Sequence, residues 1–88
     1  MFEIVKELKD SQICVGNKGF LNYLKACREQ LKKSGEIEIL SRGNLNAKAI
    51  HLASCLQEED HCNIADISIS RRHDDSGVVT ELRIVITQ

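Results

Sequence analysis

The stretch from Phe20 to Leu40 restricts the folds open to this chain more than any other. Phe20, Leu24, Cys27 and Leu31 recur at i, i+4, i+7 and i+11, a single apolar stripe on a helix over 20–33. "SG" at 34–35 ends it, with Gly35 as the expected left-handed cap. "EIEIL" at 36–40 then alternates strictly, so Ile37 and Ile39 share one face of a strand. An amphipathic helix handed directly to a one-faced strand predicts a layered α/β arrangement.

The flanking segments extend the pattern. "ICV" at 13–15 reads as a brief β-branched strand ended by Gly16. "SRGN" at 41–44 reads as a turn, and Leu45, Ala49, Leu52, Ala53 and Leu56 make a second helical stripe, with Asn44 or Asn46 able to cap it. "QEEDHCN" is polar and reads as a loop. Ile67 and Ile69 alternate in "DISIS", a third strand, and Leu82, Ile84 and Ile86 alternate in "ELRIVI", a fourth. "RRHDDSG" between them has turn chemistry, so the last two strands form an antiparallel hairpin. Phe2, Val5 and Leu8 suggest a short helix in a charged lead-in over 1–12, ahead of a domain over 13–88. The order is β-α-β-α-β-β. The fold class is α+β: a two-layer α/β sandwich, its four-stranded mixed sheet carrying both helices on one face.

Eighty-eight residues suffice for one domain with a modest core. Aromatics are 3%, so that core must be aliphatic. The formal net charge is -1, and a chain that coats nucleic acid by bulk charge is far more basic. Any phosphate binding must come from a local patch. No apolar run approaches bilayer-spanning length, and "MFEIVKELKD" lacks the basic-then-apolar order of a signal peptide. A cytoplasmic or nuclear location is expected, without membrane association, and the four cysteines then read as reduced thiols.

Two turns carry candidate chemistry. Gly16 to Gly19 matches neither a Walker loop nor G-x-G-x-x-G, which disfavours nucleotide hydrolysis. Free backbone N–H groups, a helix N-terminus and Lys18 would still suit a phosphate oxygen. The alternative is that Gly16 simply makes the turn. "SRGN" is a second strand-to-helix turn with a glycine and a cation, Arg42. In this topology both turns lie at one end of the sheet, so Lys18 and Arg42 should converge on one rim. Arg71 and Arg72, diluted by Asp74 and Asp75, form a third cationic cluster at the hairpin tip. Lys25, Arg28 and Lys32 make a flank stripe on the first helix that could extend the path, although solvated lysines are the commoner case. His51, Cys55, His61 and Cys62 offer soft ligands, but no C-x₂-C pair exists, so no metal and no cofactor are expected. No nucleophile–base spacing is legible, and no enzyme activity is expected.

These residues resemble the Alba family of small nucleic-acid-binding proteins. The first pattern reads Val15-Gly16-Asn17-Lys18, then Phe20-Leu21-Asn22-Tyr23. The second reads Glu38-Ile39-Leu40-Ser41-Arg42-Gly43, then Ala47-Lys48-Ala49-Ile50. The resemblance covers roughly residues 12–88. It implies the same topology, similar to the C-terminal domain of bacterial translation initiation factor three. It also implies a homodimer, or a heterodimer with another Alba-like chain, that binds RNA or DNA without chemistry. Carried over, Lys18 and Arg42 contact the phosphate backbone, Gly16 and Gly43 permit close approach, and Asn17 and Asn44 lie in the same turns. Two departures stand out: Asn17 replaces a lysine, and the hairpin connection reads as short and half acidic where many family members extend a long basic hairpin. Both turn the expectation slightly from DNA toward RNA. Ile50, on the outer face of the second helix, is the expected dimer contact. The alternative function is a protein-interaction subunit of a ribonucleoprotein, resembling those of RNase P or RNase MRP, with weak intrinsic binding.

Overall fold

The computed structural model describes residues 11–75 and 77–88. In chain order the elements are β1 (Gln12–Cys14), α1 (Phe20–Ser34), β2 (Glu36–Arg42), a 3₁₀ turn (Gly43–Leu45), α2 (Asn46–Glu59), β3 (Asn63–Asp74) and β4 (Gly77–Thr87). The strands form one sheet in the order β1-β2-β4-β3. β1 and β2 are parallel, and the other pairs are antiparallel. A parallel pair needs a crossover, and α1 supplies it. Gly35 ends α1 as the pattern predicts: its φ is 77°, and its N–H donates to the Leu31 carbonyl at 2.8 Å.

The core follows the two periods. Ile37 and Ile39 of β2 and Leu82, Ile84 and Ile86 of β4 point to the side where both helices lie. Against them pack Leu24, Cys27 and Leu31 of α1 and Ala49, Leu52, Ala53 and Leu56 of α2. Burial pushes the Cys27 thiol up to about 12, so it stays protonated and inert at neutral pH. The opposite face of the sheet is mixed, with Leu40 and a buried Val85 among charged and polar side chains. There Arg83 pairs with Glu38 and reaches Asp66 at 3.5 Å.

The hairpin departs from the pattern. Of "RRHDD" only Asp75 lies in the turn: Arg71 to Asp74 belong to β3, Asp74 pairs with Gly77, and Arg71 and Arg72 therefore sit at the root of the hairpin extension and not at its tip. β3 and β4 are therefore 12 and 11 residues long. β2 ends at Arg42, opposite Glu81, so the four pairs from Arg71↔Thr80 to Asp74↔Gly77 project past the sheet as a two-stranded arm. Its pairing rests on the backbone ladder and on β-branched Val78, Val79 and Thr80, not on an apolar face. A search for alternating apolar residues cannot see it.

Smaller shifts have similar origins. "SRGN" is not a plain turn, because β2 runs through Arg42 before the 3₁₀ turn. The N-cap of α2 is Leu45, and neither Asn44 nor Asn46 caps it. "QEEDHCN" is only partly loop, since α2 continues to Glu59 and β3 begins at Asn63. The expected lead-in helix at Phe2, Val5 and Leu8 lies outside the described residues. No helix among the described residues is long and apolar enough to cross a membrane.

Candidate functional site

The parallel pairing of β1 and β2 brings two strand-to-helix turns to one end of the sheet. Cys14 is in register with Leu40, and the Val15 N–H donates to the Leu40 carbonyl at 2.8 Å, so the first turn leaves the sheet where β2 approaches Arg42. The first turn is wound around Tyr23. Its hydroxyl oxygen accepts the Gly16 N–H at 2.8 Å and the Lys18 N–H at 3.2 Å. These two amides are therefore not free for a phosphate, which corrects the expectation of an open N–H cradle. Gly16 is glycine for a steric reason, because a Cβ there would meet the Tyr23 hydroxyl at 3.0 Å. Asn17 and Lys18 are exposed at the top of the turn.

Beneath the turn lies a lysine to which the sequence patterns assigned no role. Lys48, in the first turns of α2, donates its ammonium to the Gly16 carbonyl and to the Lys18 carbonyl, both at 2.9 Å. Its nitrogen also lies 5.4 Å from the Tyr23 ring centroid, within cation–π range. No carboxylate pairs with it among the described residues. The available signal was the Ala47-Lys48-Ala49 stretch itself. The distance in sequence between Lys48 and its partners hid the contact.

The second turn is built differently. Gly43 has φ 62°, the left-handed conformation that turns the chain from β2 into the 3₁₀ segment. Ser41 donates its hydroxyl to the Asn46 side-chain oxygen at 2.7 Å, and the Asn46 amide donates to the Thr80 carbonyl at 3.0 Å. Arg42 and Asn44 are exposed. Arg42 lies opposite Glu81 in the ladder, and Arg72 from β3 pairs with that same Glu81 at 3.0 Å. Arg42, Arg72 and Arg83 share a shallow groove of ≈ 730 Å³ on this mixed face of the sheet, with Cys14, Ser68 and Ser70 beside them. The structure thus brings Arg42 and Arg72 together. Arg71 alternates to the other face of the arm, away from this groove.

The stripe on α1 is broken. Arg28 is committed to Asp60, at 2.8 and 2.9 Å, and to Glu59 at 3.0 Å, clamping α1 to the end of α2. Lys25 remains exposed on the outer side of α1, apart from both turns. His51 stacks on Phe20 with ring centroids 4.4 Å apart, and Cys62 is buried, its thiol pushed up by that burial. No group of three or more His, Cys, Asp or Glu residues is placed to hold a metal ion among the described residues.

The arrangement is a rim of exposed cations on a rigid frame, suited to gripping anionic oxygens. Structural comparison matches the frame to known folds. The chain superposes on Alba from Thermoplasma volcanium with a TM-score of 0.73 and 23% identity, covering 88% of this chain and 99% of that one. It superposes on ALBA1 from Trypanosoma brucei with a TM-score of 0.82 and 20% identity, covering 93% of this chain and 72% of that one. No protein-family profile and no curated protein matches the sequence. The chain is an Alba-like domain by its fold. Replacing Tyr23 with Phe removes the acceptor of two amides and should lower stability by about 1–3 kcal/mol in urea unfolding. Unchanged stability would mean that the hydroxyl does not hold the turn.

Proposed function

We propose that this Alba-like domain binds nucleic acid through the phosphate backbone, without catalysing a reaction, and does so as a dimer. The supporting observation is the gathering of exposed cations at one end of the sheet in a chain whose net charge is only -1. Lys18 tops the first turn, Arg42 and Asn44 occupy the second, and Arg72 rises from the arm beside Arg42. Asn17, Gly16 and Gly43 shape the surface around them. Arg71, on the other face of the arm, and Lys25, on α1, belong to secondary positions.

RNA is slightly favoured over DNA, because Asn17 leaves the first turn one charge poorer. The long arm removes the other argument against duplex DNA, so both nucleic acids belong in the test. Contacts with phosphate release counterions, giving a log–log salt slope of about -0.9 per contact on duplex DNA and about -0.7 on single strands. Lys18→Glu and Arg42→Glu should each lower affinity for all sequences alike and flatten this slope by about one contact or more. A salt titration of binding to a duplex DNA and to a single-stranded RNA measures this. Parent-like affinity and slope in both variants would make the two turns purely structural.

The dimer rests on an uncovered apolar ledge. At about 100° per residue, Ile50 lies on the flank of α2 opposite Lys48 and near Asn46, hence toward β4 and β3. Ile67 and Ile69 pair with Ile84 and Leu82 and share their face of the sheet, yet no helix among the described residues covers them. Ile50, Ile67 and Ile69 are 56%, 53% and 69% exposed. Three exposed isoleucines on adjoining elements fit a self-complementary contact. Sedimentation should give a dimer for the parent and a weaker dimer for Ile50→Glu. A parent monomer at high concentration would leave the ledge to a different chain, as in a ribonucleoprotein subunit that works through protein contacts.

A further inference from the structure

The first turns of α2 touch every segment of the proposed interface, although none of their residues sits at the top of the rim. On one flank Lys48 holds two carbonyls of the first turn. On the other, Asn46 bonds Ser41, the neighbour of Arg42, and also Thr80, at the root of the arm that carries Arg72. Two side chains two residues apart thus bracket the first turn, the second turn and the arm.

We propose that Lys48 is a positioning residue for nucleic-acid binding, with Asn46 as its counterpart, so that α2 sets the relative placement of Lys18, Arg42 and Arg72. The inference rests on the proposed nucleic-acid reading. The chemistry favours Lys48 for this task. An ammonium offers three N–H donors and no acceptor, so it can draw two carbonyls inward at once. Drawing the Gly16 and Lys18 carbonyls inward anchors the backbone on either side of Asn17. The Tyr23 hydroxyl takes the N–H groups of those same two residues. Gly16 and Lys18 are therefore held by both of their peptide groups, and the Lys18 side chain springs from a fixed point. The Lys48 charge has no carboxylate partner among the described residues, so it also adds positive potential under the turn. A phosphate reaching Lys18 meets a preorganised site.

A double-mutant cycle separates positioning from direct contact. The proteins are the parent, Lys18→Met, Lys48→Met, the double variant, Lys48→Arg, and Lys33→Met as an exposed-lysine charge control at the far end of α1. Affinity is measured for a duplex DNA and a single-stranded RNA, and amide exchange of Gly16 and Lys18 is followed in the free protein. Lys48→Met should lose about tenfold in affinity. Adding Lys18→Met to it should cost much less than Lys18→Met costs the parent. The Gly16 and Lys18 amides should exchange faster in Lys48→Met, and Lys48→Arg, which keeps charge and paired donors, should recover most of both properties. Lys33→Met should behave like the parent. Multiplicative losses with unchanged amide exchange would overturn the proposal and make Lys48 a direct contact. A folded Lys48→Met with parent affinity and parent exchange would overturn it outright. If the parent binds neither probe, the nucleic-acid reading fails, and unchanged exchange in Lys48→Met would then separately reject its hold on the turn.

Discussion

The close packing of α2 on β2 and β4 is the contact on which the rest of the molecule depends. Leu52 and Leu56 meet Ile37, Ile39, Ile84 and Ile86, and all six are withdrawn from water. Burying side chains of this size contributes about 1.5–3 kcal/mol each. In a domain this small, with 3% aromatics, few other sources of comparable stability exist. Fixing α2 on the sheet also fixes its N-terminal turns, and those turns reach both sides of the rim. Stability and the candidate interface therefore share one element.

The division of labour along α2 is periodic. Ala49, Leu52, Ala53 and Leu56 face the sheet. Lys48 faces the first turn and His51 faces Phe20, both on the α1 side. Asn46 and Ile50 lie on the flank toward β4 and β3. One 14-residue helix thus contributes to the core, to the turn beneath Lys18, to the root of the arm and to the exposed ledge. The C-terminal end is tied separately, by Arg28 of α1 to Glu59 and Asp60. That pairing takes Arg28 out of the basic stripe on α1.

Much of the fold was legible because its signals are local. The helical stripe from Phe20 to Leu31, the cap at Gly35 and the alternation of Ile37 and Ile39 each involve neighbours in sequence. The arm was missed because its strands lack an apolar face: Arg71, Arg72 and His73 carry no alternation, and only the ladder opposite Val78 to Thr80 makes them a strand. At the site, Lys18 and Arg42 were legible as cations beside glycines. Their surroundings were not. The amides of Gly16 and Lys18 read as free until Tyr23, one turn along the helix, proved to occupy them. Lys48 was invisible as a contact because its partners lie 30 and 32 residues away. The pairing of Arg42 with Arg72 across Glu81 depends likewise on strand order, which local sequence does not encode.

The central claim is that one end of the sheet, and not another surface, meets the nucleic acid. Amide shift mapping by NMR during titration with a short RNA, and separately with a short DNA duplex, tests it most directly. The account predicts the largest changes at residues 16–19, 42–44 and 71–74, with little change along the outer side of α1. Changes centred on Ile50, Ile67 and Ile69, or none with either nucleic acid, would contradict it.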